Sequence, residues 1–321
     1  MKPMPDFPFL HPASAAPVKV ILDTDIEFDV DDVGAVAVLH ALADLGYAEI
    51  LAMLVSAKHE WSPACLNALN HYYGRPQIPI GQVGPEGVEF GSEYAQKLTE
   101  AHQLQNAQEL NVRRGVDLYR ETLAAQADRS VVLISIGFLT ILDQLLASPA
   151  DEISELSGLE LVTHKVTHWV CMGGHYPSGN EYNFIKDGPA AANVVNHWPA
   201  PITFSGQELG KRILTGTRLV ETPEENPVRK AYEHYFGGTP LLRPSWDQAT
   251  VLYGVLGLQG GLSKIWDVVG PGCNRLDEAG TNTWDATQNR EHRYLVEKMP
   301  PDEVAWLIEE LMIREPAISM R

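Results

Sequence analysis

The sequence predicts an α/β protein whose mainly parallel central sheet is covered by helices on both faces. Three observations predict it. Short runs of apolar and β-branched residues recur along the chain, they alternate with longer segments of helical period, and no composition break or low-complexity linker divides the 321 residues. Strands that are apolar throughout are buried on both faces, as parallel strands are. Their alternation with helices is the pattern of successive strand–helix–strand units. One domain over residues 17–321, behind a proline-rich tail at residues 1–16, is the expected organisation.

In order, residues 18–22 (VKVIL) form the first strand, an acidic segment follows, and residues 33–46 are a helix closed by Gly46. Residues 50–55 are the next strand and 63–73 the next helix, stopped by Gly74. Residues 78–83 form a short or edge strand, because Pro79 has no amide to give a ladder. The polar stretch 92–126 has the periodicity of two helices, and 130–136 (SVVLISI) is the clearest buried strand, with Gly137 opening a helix. A strand at 168–172, a Gly-rich loop, a helix over 189–197, a strand at 202–205 and a helix at 248–257 follow. The chain closes with a β-hairpin around residues 283–296 and a helix over 302–313. The succession is Rossmann-like.

With 42 acidic against 24 basic side chains the formal net charge is −18. A surface this acidic repels phosphate backbones and anionic lipid heads, which excludes nucleic-acid polymers and membranes as partners and leaves small neutral molecules and cations. No run reaches the roughly 18 apolar residues of a membrane span. Cys65, Cys171 and Cys273 lie far apart without a CxxC spacing, so a disulfide framework is not indicated. A reducing, cytoplasmic setting is expected, or a periplasmic one if a signal sequence precedes this start.

Asp23, Asp25, Glu27, Asp29, Asp31 and Asp32 crowd into residues 23–32, directly after the first strand. In open α/β sheets, ligands bind beyond the carboxyl ends of strands. So many anions repel one another unless some take protons or a cation neutralises them, and oxygen-only ligands select a hard ion, Ca²⁺ or Mg²⁺. The plain alternative is a solvated loop whose Asp31 and Asp32 complement the positive end of the next helix. An EF-hand is excluded, because its sixth and twelfth loop positions hold Phe28 and Gly34.

The segment VILDTDIEFDVDDVGAVAVL (20–39) resembles the N-terminal signature DxDPGxDD of the inosine–uridine-preferring nucleoside hydrolase family, with two extra residues between DxD and DD. LISIGFLT (133–140) is similar to the segment before the family's GxLTN turn, with Ile141 where Asn is usual. CMGGHYPSGNEYNF (171–184), followed by Asp187, Pro189, Ala190 and Ala191, resembles MGG…GN…EFN…DPEAA with a shortened loop. SWDQATVLY (245–253) matches the late HD helix start, with Trp246 in the His position.

The resemblance implies a nucleoside hydrolase fold, a bound Ca²⁺ and hydrolysis of ribonucleosides to ribose and a free base, with salvage as the setting and a homodimer or homotetramer as the assembly. It implies Asp25, Asp32, Asp247 and the carbonyl of Ile136 as metal ligands, Asp25 also as general base, and Asp23 as their support. Asp31, Glu181 and Asn183 would bind ribose hydroxyls, with Met172 and Asn180 lining the sugar pocket. Lys58 stands where the family has an Asn near the sugar. A His at position 246 would protonate the leaving base, and Trp246 cannot, so His175, His59, Trp61 and Trp246 itself are the candidates for the base side. Glu27 and Asp29 lie in the inserted part and receive no role. Two rivals stand beside this reading: a metal-dependent phosphatase built on the Asp23-Thr24-Asp25 strand, and a riboside binder that kept the metal and lost the acid.

Overall fold

The structure is a computed structural model that describes residue 13 and residues 16–89, 91, 93–101, 110–258 and 261–317. The predicted tail lies almost wholly outside the described residues. The strands, in chain order, are β1 (Val18–Thr24), β2 (Ala48–Val55), β3 (Ile80–Gln82), β4 (Arg113–Arg114), β5 (Val131–Ser135), β6 (Val166–Met172), β7 (Ser178–Asn180), β8 (Ile202–Ser205), β9 (Leu214–Thr215), β10 (Arg243–Pro244), β11 (Trp266–Leu276), β12 (Thr281–Asp285) and β13 (His292–Glu297). An 11-stranded sheet runs β4-β3-β2-β1-β5-β6-β8-β13-β11-β12-β7, and β9 and β10 pair apart from it. Every pairing from β4 across to β13 is parallel, and β11, β12 and β7 continue the sheet antiparallel.

The helices are α1 (Asp31–Asp44), α2 (Ser62–Tyr72), α3 (Tyr94–Ala101), α4 (Gly115–Ala124), α5 (Thr140–Ala147), α6 (Gly158–Lys165), α7 (Tyr182–Lys186), α8 (Gly188–His197), α9 (Gln207–Gly210), α10 (Pro227–Phe236), α11 (Trp246–Leu252) and α12 (Pro301–Met312). Among the described residues none is long and apolar enough to cross a membrane. They cover both faces of the sheet because the strands are apolar on both sides. Val20 and Leu22 of β1 and Val132 and Ile134 of β5 pack with side chains of α1, α2, α11 and α12. The intervening Ile21, Val131 and Leu133 join the opposite layer with Trp169, Phe204 and residues of α4, α5 and α8. Cys65, Cys171 and Cys273 are buried free thiols.

The predicted hairpin around residues 283–296 is corrected. β12 and β13 do not pair with each other; both flank β11, which the sequence reading passed over. The reason is Gly270, Pro271 and Gly272 in its middle, residues that argue against a strand, and the β11–β13 register shifts there. The turn from β11 into β12 is held by Asp277, whose Oδ1 accepts from the amides of Ala279 (3.0 Å) and Thr281 (2.9 Å). The helix predicted to open at Gly137 begins three residues later, at Thr140.

From β1 the chain builds the sheet outward one way through β2, β3 and β4, and the other way from β5 through β6 and β8. The gap between the carboxyl ends of β1 and β5 is therefore a topological switch point, where a ligand can enter. Gly137, just past β5, packs against the residue just past β1: a Cβ there would lie 2.4 Å from the Asp25 nitrogen and 2.7 Å from Ser56 Oγ. Gly137→Ala is expected to destabilise the fold by about 1–3 kcal/mol, the range for overpacking a filled interior. The urea midpoint checks it; an unchanged midpoint would contradict the close approach.

Candidate metal centre and active-site cleft

β1 ends at Thr24, and the chain turns through residues 26–30 before α1 starts at Asp31. Thr24 Oγ1 accepts from the Ile26 amide at 3.1 Å and donates to Asp32 Oδ1. This fixes the carboxylate of Asp32 under the start of α1. The first turn of α11 meets it from across the switch point, and the Asp247 amide donates to Asp31 Oδ2 at 3.3 Å. Glu27, in the inserted part, takes φ = 131°, a conformation that side chains rarely adopt. Its carboxylate is buried, 3.7 Å from His59 Nδ1.

The outcome is a buried acidic centre. One carboxylate oxygen each from Asp31, Asp32 and Asp247 lie within 4.8 Å of one another, a spacing that can hold a metal ion. Asp25 lines the same cleft, and its Oδ2 is buried without a hydrogen-bond partner. Burial, and then the neighbouring carboxylates, hold Asp25, Asp31, Asp32 and Asp247 all well above the usual carboxylate range. An all-oxygen donor set in which protons stand in for positive charge fits a hard divalent cation. Below it, Asp23 accepts a hydrogen bond from Tyr119 at 2.9 Å, yet burial pushes its carboxyl up to about 7.

The cleft over this centre has a volume of 370 Å³. One wall carries the carbonyl of Ile136, to which Asn183 Nδ2 donates at 3.4 Å, together with Met172 and Glu181. Glu181 caps α7: its two oxygens accept from the amides of Asn183 (2.7 Å) and Phe184 (3.1 Å). Burial raises its carboxyl to about 7 despite those bonds. Gln207, Lys211, Arg243 and Trp246 also line the cleft. The Trp246 indole N–H donates to the Gln207 carbonyl at 2.8 Å. Phe28 and Tyr182 complete the lining, their rings stacked with centroids 4.4 Å apart.

Asp25, Asp31, Asp32, Ile136, Met172, Glu181, Asn183, Trp246 and Asp247, which the sequence reading singled out, thus converge on one cleft. Three others stand elsewhere. Lys58 is exposed, 3.3 Å from Glu89, in a separate cavity that His59 also lines. Asn180 is exposed on β7, opposite Thr281. The His175 ring is part-exposed, 3.9 Å from Glu208. Among the described residues no imidazole lines the cleft. Sequence reasoning missed Tyr182, Gln207, Lys211 and Arg243. Tyr182 lay within a motif already quoted; the other three had no motif or period to mark them.

No protein-family model and no curated protein sequence matches the chain. Solved structures do. The type III effector protein XopQ complexed with adenosine diphosphate ribose aligns at a TM-score of 0.68, with 15% identity over 96% of each chain. An inosine-guanosine nucleoside hydrolase aligns at 0.69, with 18% identity over 92% of this chain and 98% of that one. The inosine-uridine preferring nucleoside hydrolase from Bacillus anthracis aligns at 0.64, with 15% identity over 92% of this chain and 99% of that one. The chain has the nucleoside hydrolase fold.

The acidic centre sets a pH dependence. Folded Asp23 and Glu181 keep protons up to about pH 7, whereas the unfolded chain loses them near its ordinary values of 3.8 and 4.5. Stability from these groups is full below the unfolded values and is lost as pH rises through the folded ones. Metal-free protein in EDTA is therefore expected to melt at a lower temperature at pH 7.5 than at pH 5. Saturating Ca²⁺ should raise the melting temperature more at pH 7.5 than at pH 5. A metal-free melting temperature that climbs from pH 5 to 7.5 would contradict the protonated centre.

Proposed function

We propose that the protein hydrolyses the N-glycosidic bond of ribonucleosides, giving ribose and a free base, with Ca²⁺ as its cofactor. The observation that carries this reading is the convergence of Asp25, Asp31, Asp32, Asp247 and the Ile136 carbonyl in one cleft of a nucleoside hydrolase fold. Its 370 Å³ lies within the ordinary range for small-molecule pockets.

Asp25, Asp32, Asp247 and the Ile136 carbonyl would hold the ion, which when bound would acidify a water and anchor sugar hydroxyls. The unpartnered Oδ2 of Asp25 takes the proton of the attacking water. Asp31, with a carboxylate oxygen within 4.8 Å of those of Asp32 and Asp247, would accept from a ribose hydroxyl. Asn183 and Glu181 hold the remaining hydroxyls, and Met172 packs against the ring. Cleavage leaves the sugar electron-poor, and the surrounding carboxylates favour that charge over the neutral ground state. Because the sugar hydroxyls meet buried acceptors, a deoxyribose would leave those acceptors unpaired and bind poorly.

A second reading, a riboside binder without turnover, draws on the absence of an imidazole from the cleft lining and on Trp246 in the place of the acid. A phosphatase built on the DxD strand gives Asp247 nothing to do. One assay decides: full-length protein with 4-nitrophenyl riboside, uridine and inosine, in Ca²⁺ or EDTA. Cleavage in Ca²⁺ and none in EDTA is expected, with Asp25→Ala and Asp247→Ala each losing at least about 10²-fold in kcat/KM. Tight riboside binding with no cleavage of any substrate would establish the binder instead.

A further inference from the structure

Three features remain without a role: the extra residues between β1 and α1, the tryptophan at position 246, and Arg243. They meet at one point. Arg243 donates from Nε to Asp29 Oδ1 (2.9 Å) and Oδ2 (3.0 Å), and from Nη2 to Oδ2 as well. Its guanidinium lies 5.5 Å from the Trp246 ring centroid and 5.7 Å from that of Tyr235. Asp29 is itself fixed, since its Oδ1 accepts from the Val30 amide at 2.7 Å and its carbonyl from the Tyr94 hydroxyl at 2.9 Å. Arg243 also sits in the β9–β10 ribbon, in register with Thr215.

The guanidinium is thus held by two of its nitrogens and flanked by two rings, while Nη1 makes no hydrogen bond to a described residue. That leaves both N–H groups of Nη1, and the second one of Nη2, uncommitted to a described residue on a cleft-lining cation. Two other N–H donors of the lining are less well placed. The Trp246 N–H is committed to Gln207, and Lys211 is an exposed side chain with no ion pair to a described residue.

We propose that Arg243 stabilises the departing aglycone as an anion, replacing a group that would protonate it, and so restricts turnover to ribosides of good anionic leaving groups. The inference rests on the hydrolase reading above. An arginine stays charged and cannot hand over a proton, but its hydrogen bonds to a developing anion in a cleft are strong. The bond from the anomeric carbon to the aglycone breaks with its electron pair going to the aglycone. The water oxygen bonds to that carbon and gives one proton to Asp25, which passes it to solvent. The released anion takes a proton from solvent, so the sum is riboside plus water to ribose plus neutral aglycone. Asp29 is a positioning residue in this scheme. Trp246 offers Arg243 a ring face where an imidazole would offer a proton.

The test compares kcat/KM for 4-nitrophenyl riboside, uridine and adenosine in Ca²⁺-loaded full-length protein and in Arg243→Gln. Wild type should prefer them in that order. Arg243→Gln should lose about 10²-fold on uridine, whose aglycone needs the cation, and no more than about 5-fold on the nitrophenyl substrate, whose aglycone does not. Asp29→Asn should show the same split more weakly, in kcat rather than KM. Should Arg243→Gln fail to fold, Arg243→Lys keeps the charge but loses the planar fork, and the same split is expected. An equal loss on both substrates, or no loss on uridine, overturns the role of Arg243 and leaves the hydrolase reading standing. If wild type cleaves no riboside at all, the hydrolase reading fails and this inference with it.

Discussion

Five aspartates buried around the carboxyl ends of two parallel strands are the constraint on which the rest of the site depends. Asp23, Asp25, Asp31, Asp32 and Asp247 are each at most 4% exposed. Ionised carboxylates taken out of water are expensive, and together they repel one another. A fold tolerates such a cluster only by supplying protons, hydrogen-bond donors or a cation. Here Asp31 and Asp32 lie in the first turn of α1, at the positive end of its dipole, Thr24 gives its hydroxyl to Asp32, and the Asp247 amide reaches Asp31. Those donors are too few for the charges present, and burial and mutual repulsion keep the carboxyls well above the usual carboxylate range.

The surrounding structure holds these carboxylates in place. Tyr119 fixes Asp23 from beneath, and Glu181 is tied by the backbone of α7. Gly137 lets the end of β5 close on Asp25. The longer β1–α1 turn reaches across to Arg243, so the insertion braces that residue in the cleft lining. The cleft lining thereby combines a cluster of carboxylates with two cations and an indole.

What the sequence made legible follows from local chemistry. β5 read as a strand because its side chains are apolar toward both layers, and the predicted strand at 202–205 coincides with β8. β11 was hidden by Gly270, Pro271 and Gly272, whose strand pairing only the neighbouring strands reveal. The acidic run announced a cation by its composition, but its partner Asp247 came only through a resemblance to a family. The Asp29–Arg243 pair spans 214 residues, with no periodicity to link its members. Lys58 follows β2, one strand away from the β1–β5 gap, and its side chain falls in the separate cavity. After Gly174, which has φ = 82°, the chain leaves His175 part-exposed.

The central claim is that the buried carboxyls hold protons in the place of one divalent cation. Calorimetric titration of Ca²⁺ into EDTA-stripped, dialysed full-length protein at pH 6, repeated in buffers of different ionisation enthalpy, tests it directly. One ion bound per chain is expected, with protons released to the buffer as it binds. Absence of binding, or binding with no proton release, would contradict it.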